Sequence, residues 1–143
     1  MKEKERQILA RVNEEIFSGS GDYLLELENI YSRFDAENSE YIAEIKYREK
    51  HYNETLIEFD KYAFNKLYAQ INKKSFLYIV GTGETDKIDI YNISDLDNSG
   101  LWYKWHWRTM PKQTEFNDNQ KIKKYVGYID SELRVARINL NKV

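Results

Sequence analysis

The sequence contains no cysteine, only two histidines and a single proline. Without cysteine there are no disulfides and no thiolate metal sites, and the chain suits a reducing compartment. Two histidines make a zinc centre built on nitrogen and sulfur ligands a poor fit. Any metal would be a hard cation held by carboxylate oxygens. No apolar run approaches the ~18 residues that a membrane span requires. Residues 1–11 carry too much charge for a signal peptide. The expected setting is therefore cytoplasmic, with no membrane partner.

What is present fits one globular domain over residues 1–143, with 41% hydrophobic and 32% charged residues. Tyrosine is abundant, at 12 residues beside 3 tryptophans, as packed strands and adhesive surfaces favour. The net charge of −2 is unevenly spread. Residues 1–100 carry 13 Lys/Arg against 20 Asp/Glu, whereas residues 101–143 carry 9 against 4. A basic section on an acidic body suits a polyanion met from one side, although ordinary surface variation gives the same pattern.

Hydrophobic spacing predicts a helix over 2–17, with Ile8, Val12 and Ile16 four apart and Leu9 beside them. Residues 18–22, Ser-Gly-Ser-Gly-Asp, stop it. A bent or bulged strand is expected over 23–36, a turn at 37–40 and a strand over 41–48. Leu56, Phe59, Ala63, Leu67 and Ile71 form one stripe, which predicts a helix over 54–72. A buried strand over 76–80, a loop over 81–86 and a hairpinned strand over 87–93 follow. Further strands are expected over 101–108, 125–129 and 134–140, with a polar loop at 112–120. The class is α/β with a mixed sheet.

The informative spacing is Asp35 followed nine residues later by Glu44-Ile45-Lys46. A turn between them returns the chain, so the two carboxylates can lie side by side. Glu44 and Lys46 are two apart on a strand and point to one face. Two carboxylates and an ammonium suit metal-assisted phosphodiester hydrolysis: the acids hold Mg²⁺ or Mn²⁺, and the lysine orients water or stabilises charge on the phosphate. An isolated Glu-x-Lys would be read as a solvated ion pair. Here Asp35 lies at hairpin distance, and Ile42, Ala43 and Ile45 give the strand apolar packing.

Phe34-Asp35, then Tyr41 through Lys46, then a helix and a strand, resembles the PD-(D/E)XK nuclease superfamily, especially its small phage-encoded and resolvase-like members. The resemblance covers about residues 4–93. It implies a restriction-endonuclease-like α-β-β-β-α-β core, here with a C-terminal strand extension over 101–143. It implies metal ligands Asp35 and Glu44, catalytic Lys46, and an acid on the first helix. Glu5 in Glu5-Arg6-Gln7-Ile8-Leu9 matches that acid and lies on the inward stripe. Glu15 is second choice and Glu14 points away. A plain helix N-terminal acid is the competing reading for Glu5. Phe34 stands where the motif often has proline.

Lys61, on the second helix, falls where the family places site-flanking polar residues and is a candidate nucleic-acid contact, with a solvated helix charge as its competing reading. Residues 81–83, Gly-Thr-Gly, are too short for a phosphate-cradling loop. In the C-terminal section, alternation puts Tyr103, Trp105 and Trp107 on one face and Lys104, His106 and Arg108 on the other. Trp102 adds to the aromatic content. Lys104, Arg108, Lys112, Lys123 and Lys124 are candidate phosphate contacts, with the aromatics either stacking bases or closing the core. The expected partner is nucleic acid, DNA before RNA, with a homodimer open. The competing function is a binding module on the same scaffold, viral or otherwise, that engages nucleic acid or protein without cutting. An inert structural or virion component is the third class.

Overall fold

A computed structural model of the chain describes residues 1–29, 32–100, 104–111 and 121–142. Helix α1 (Glu3–Val12) opens where the Glu5 carboxylate accepts the Lys2 N–H at 3.1 Å, and it buries Ile8, Leu9 and Val12. It runs on into a π-helical turn, Asn13–Phe17. The wider turn shifts the helical phase. Phe17 therefore takes the core position expected of Ile16, which is 43% exposed. The Asn13 side chain then clamps Leu24, accepting from its N–H at 2.8 Å and donating to its carbonyl at 2.9 Å.

The strand expected over 23–36 is instead two short pieces, β1 (Leu25–Glu26) and β2 (Ala36–Glu37). Strand β2 pairs antiparallel with β3 (Tyr41–Arg48), which has the expected bounds. Asn38 makes the intervening turn, its Oδ1 accepting the N–H groups of Glu40 and Tyr41 at 2.9 and 2.7 Å.

The helix expected over 54–72 splits into β4 (Glu54–Glu58) and α2 (Phe59–Ile71). Two β-branched residues, Thr55 and Ile57, sit in β4, which pairs antiparallel with β8 (Lys121–Asp130). Pairing with a distant strand overrides the helical spacing. The buried face of α2 also differs from the expected stripe: it carries Tyr62, Asn65 and Ala69. Leu67 and Ile71 are 57% and 70% exposed.

Strands β5 (Ser75–Thr82) and β6 (Lys87–Asn92) follow as expected, β5 parallel to β3 and β6 antiparallel to β5. A short helix, α3 (Ile93–Asn98), was not anticipated. It starts where Asn92 accepts the Asp95 N–H at 3.0 Å, a cap present in the sequence as Asn-Ile-Ser-Asp. Strand β7 (His106–Pro111) begins later than the strand expected over 101–108. Residues 101–103, with Trp102 and Tyr103, and the stretch 112–120, with Lys112, lie outside the described residues. Strand β8 is longer than expected. A 3₁₀ turn, Ser131–Leu133, leads to β9 (Ala136–Asn139).

The result is a mixed α/β fold. One six-stranded sheet runs β1-β2-β3-β5-β6-β9, and a three-stranded antiparallel sheet runs β4-β8-β7. Alternation along β3 serves two cores. Ala43 and Ile45 pack with Ile8, Leu9 and Val12 of α1. Ile42 packs on the opposite face with Tyr62 and Ala69 of α2, Ile93 of α3 and Ile57 of β4. Among the described residues, no helix is long and apolar enough to cross a membrane.

Helix α1 packs its Ile8 side chain directly on Gly81 of β5. A methyl group there would lie 2.5 Å from Ile8 Cδ1 and 2.8 Å from its Cγ1. Overpacking of this kind costs about 1–3 kcal/mol. Gly81→Ala is expected to lower the melting temperature, and adding Ile8→Val to recover part of the loss. Thermal melts of the single and double variants check this.

Candidate active site

The site forms where β2 leaves β3. Only residues 36 and 37 of β2 pair with β3, opposite 43 and 42. Just before them, the Asp35 N–H donates to the Ala43 carbonyl at 2.9 Å. The Asp35 carboxylate then accepts the Ile45 N–H at 2.7 Å through Oδ2. A side chain thus replaces strand backbone at this edge of β3. Without it, the Ile45 donor would lack a partner.

Glu44 and Lys46 project from β3 towards α2, on the face that carries Ile42. Glu44 is only 3% exposed. Its Oε1 accepts from Lys61 Nζ of α2 at 3.0 Å and lies 3.4 Å from Lys46 Nζ. Lys61 is therefore held against Glu44 rather than free in solvent. The Tyr78 hydroxyl donates to the Leu56 carbonyl at 2.8 Å beneath this group. Glu58, at the start of α2, pairs with Lys124 of β8 at 2.8 Å.

The three ionisable groups respond differently. Burial, and then the charge of Glu44, pushes the Asp35 carboxyl up to about 6, against the pull of the Ile45 N–H. Burial pushes the Lys46 ammonium below the usual lysine range, with Glu44 acting against it. Burial also disfavours the Lys61 ammonium, but the charge of Glu44 and the hydrogen bond to it prevail and hold it above the usual range. The balance of burial against the charge of Glu44 thus falls in opposite directions for the two lysines.

Glu5 sits near enough for its charge to contribute to the rise at Asp35, while its own oxygen accepts the Lys2 N–H. Glu14 and Glu15 pair with Arg11, each at 3.1 Å. Among the described residues, no cluster of three or more His, Cys, Asp or Glu is arranged around a common point for a metal. The donors available to a hard cation are the Asp35 and Glu44 carboxylates. The unfavourable effect of the Glu44 charge on Asp35 is what a divalent cation would relieve. In this respect the residues present fit such an ion.

Glu44 and Asp35 line different openings. Glu44, Lys46 and Lys61 line a small pocket that shares Arg48, Leu56 and Glu58 with a cleft of about 570 Å³ between the two sheets. Asp35 lines a separate opening of about 640 Å³ with Arg6, Glu26 and Phe34. Arg48 was missed in the sequence, although 44, 46 and 48 share the two-residue period that places them on one face.

The cations of the C-terminal section have separate fates. Lys104 and Lys123 are exposed. Lys124 is taken up by Glu58. Arg108 lies over the Tyr128 ring, 5.8 Å from its centroid, and hydrogen-bonds the Tyr128 hydroxyl. The alternation read from the sequence holds where it is described. Trp105 and Trp107 pack on Tyr125, and His106 and Arg108 on Tyr128. Trp105 is half-buried against Phe59 and Tyr62, whereas Trp107 is exposed.

No protein-family model, no curated protein and no solved structure matches the chain.

The raised carboxyl of Asp35 has a consequence for stability. Its protonated form is favoured by the fold, so this contribution is complete below about pH 4 and is lost as pH rises through about 6. Asp35→Asn removes the charge and keeps an acceptor for the Ile45 N–H. Without added metal, it is expected to exceed wild type in stability at pH 7.5 by up to about 3 kcal/mol, and by little at pH 4. Urea unfolding at the two pH values checks this.

Proposed function

We propose that this chain is a metal-dependent nuclease of the PD-(D/E)XK type that hydrolyses phosphodiester bonds, with DNA as the first substrate to test. The observation that carries the reading is the buried Glu44 carboxylate, held by Lys46 and Lys61 on the strand whose next N–H, that of Ile45, donates to the Asp35 carboxylate. Packing alone gives no reason to gather these charges under a helix, since apolar residues of similar volume are often as stable or more so. The order of elements supports the same reading: α1, three successively paired antiparallel strands β1 to β3, then α2 and a strand β5 parallel to β3. The reading this order supports is an α-β-β-β-α-β core with β4 inserted into a second sheet.

Asp35 and Glu44 would hold Mg²⁺ or Mn²⁺. When bound, the ion supplies polarisation of a phosphoryl oxygen and a more acidic water. Lys46, whose ammonium burial disfavours, positions and deprotonates the attacking water in its neutral form. Lys61 stays charged and faces the developing negative charge on the phosphate. Both ion pairs recorded at Glu44 use Oε1, so Oε2 is the oxygen left for a cation.

A second reading, a non-catalytic binding module on this scaffold, is favoured by one observation. The Glu44 charge is already balanced by two lysines without any metal.

Cleavage of supercoiled, linear and single-stranded DNA and of RNA, in Mg²⁺ or Mn²⁺ with EDTA as control, separates the two. Lys46→Ala is expected to keep the rise in melting temperature that Mn²⁺ produces while cleavage falls about 10²–10³-fold. Glu44→Gln and Asp35→Asn are expected to lose the Mn²⁺ shift and cleavage together, because an amide is a poor ligand for a hard cation. A wild-type protein with neither the shift nor cleavage of any substrate gives the case to the binding module.

A further inference from the structure

The cleft between the two sheets is not used by the chemistry above. Its floor is the far end of the face that carries Glu44 and Lys46. Arg48 continues that row on β3, and Val80, Asp89 and Tyr91 lie beside it on β5 and β6. Its walls are β4, the segment 50–53 and the face of β8 and β7 that carries Tyr128 and Arg108. At about 570 Å³ it has the size of a small-molecule site.

The charges in the cleft are not balanced locally. Of its three acids, Glu58 is paired with Lys124 and Asp89 with Arg137 at 2.6 Å, which leaves Glu54 to set against Arg48, Lys50 and Arg108. Among the described residues, no carboxylate lies within ion-pair distance of Arg48, Lys50 or Arg108. Two aromatic rings are offered beside these cations. Tyr52 is 65% exposed at the rim, and Tyr128 lies under Arg108. Cations with an exposed aromatic ring among them are how unpaired nucleic acid is gripped without sequence readout.

We infer that this cleft is a subsite for an unpaired nucleotide, and that the substrate of the neighbouring site presents a single-stranded segment. The inference rests on the nuclease reading for its link to cleavage, but its binding part stands alone. Arg48, one step beyond Lys46, takes the phosphate next to the one at the reacting position. Arg108 takes a further phosphate, and Tyr52 stacks on the base.

Fluorescence anisotropy in EDTA tests this with labelled single-stranded DNA, single-stranded RNA of the same sequence and blunt duplex DNA. Wild type is expected to bind a single strand more tightly than the duplex, and the preferred sugar names the nucleic acid. Tyr52→Ala and Arg48→Ala are each expected to weaken single-strand binding about tenfold. Tyr52→Phe keeps the ring and should bind as wild type. The Arg48→Ala variant should also flatten the salt dependence by about 0.7 in slope. Tyr52→Ala and Arg48→Ala proteins that bind single strands as wild type does, or a wild type that prefers duplex, would overturn the subsite. Because binding is read without metal, a protein that grips single strands but never cuts sinks the nuclease reading alone. One that cuts while both variants bind normally sinks the subsite alone.

Discussion

A carboxylate taken out of water needs a countercharge, and Glu44 is the carboxylate around which this fold is arranged. Removing it from solvent costs several kcal/mol unless opposite charge and hydrogen bonds are supplied. One lysine comes without further structure, since Lys46 follows on the same face by the two-residue period of β3. The other depends on topology. Strands β3 and β5 are parallel and therefore require a crossover. Helix α2 is that crossover, and it brings Lys61 over the strand to within 3.0 Å of Glu44. The parallel pairing and the charge balance are two consequences of one path of the chain.

Asp35 adds a second constraint at the edge of the same strand. Because β2 pairs with only two residues of β3, the Ile45 N–H needs another acceptor, and the Asp35 carboxylate provides it. The position is costly once the acid ionises, as burial and Glu44 both oppose its charge. Strain of this kind is tolerated where a site needs it and is avoided elsewhere.

The sequence disclosed those parts that depend on neighbours close along the chain. The bounds of β3, the Asn38 turn and the meeting of Asp35 with the Glu44 strand all follow from hairpin spacing and alternation. Two features were hidden because distant residues decide them. Residues 54–58 have helical spacing but pair with β8, more than sixty residues on. The contact face of α2 follows from what covers it, so polar Asn65 is buried and Leu67 is exposed. For the same reason the sequence leaves Lys61 between a site-flanking residue and a solvated charge: helical spacing alone does not say which face meets β3. Arg48 was legible by alternation and was passed over because the motif ends at Lys46.

The C-terminal section does more than add positive charge. Phe59, in the first turn of α2, packs edge-on against Trp105 at 5.1 Å and Tyr125 at 5.3 Å. Glu58, one residue earlier, is held by Lys124 of β8. Lys61 follows within the same turn. The small sheet therefore seats the end of α2 that brings Lys61 to Glu44. Strand β9, reached through the 3₁₀ turn after β8, in turn fixes the small sheet to the edge of the large one. Part of the basic and aromatic content that suggested a polyanion surface is thus spent on positioning the buried charge cluster. Arg108, on the face turned towards the cleft, keeps its charge available, and the same strands that steady Lys61 also form the cleft wall beside it.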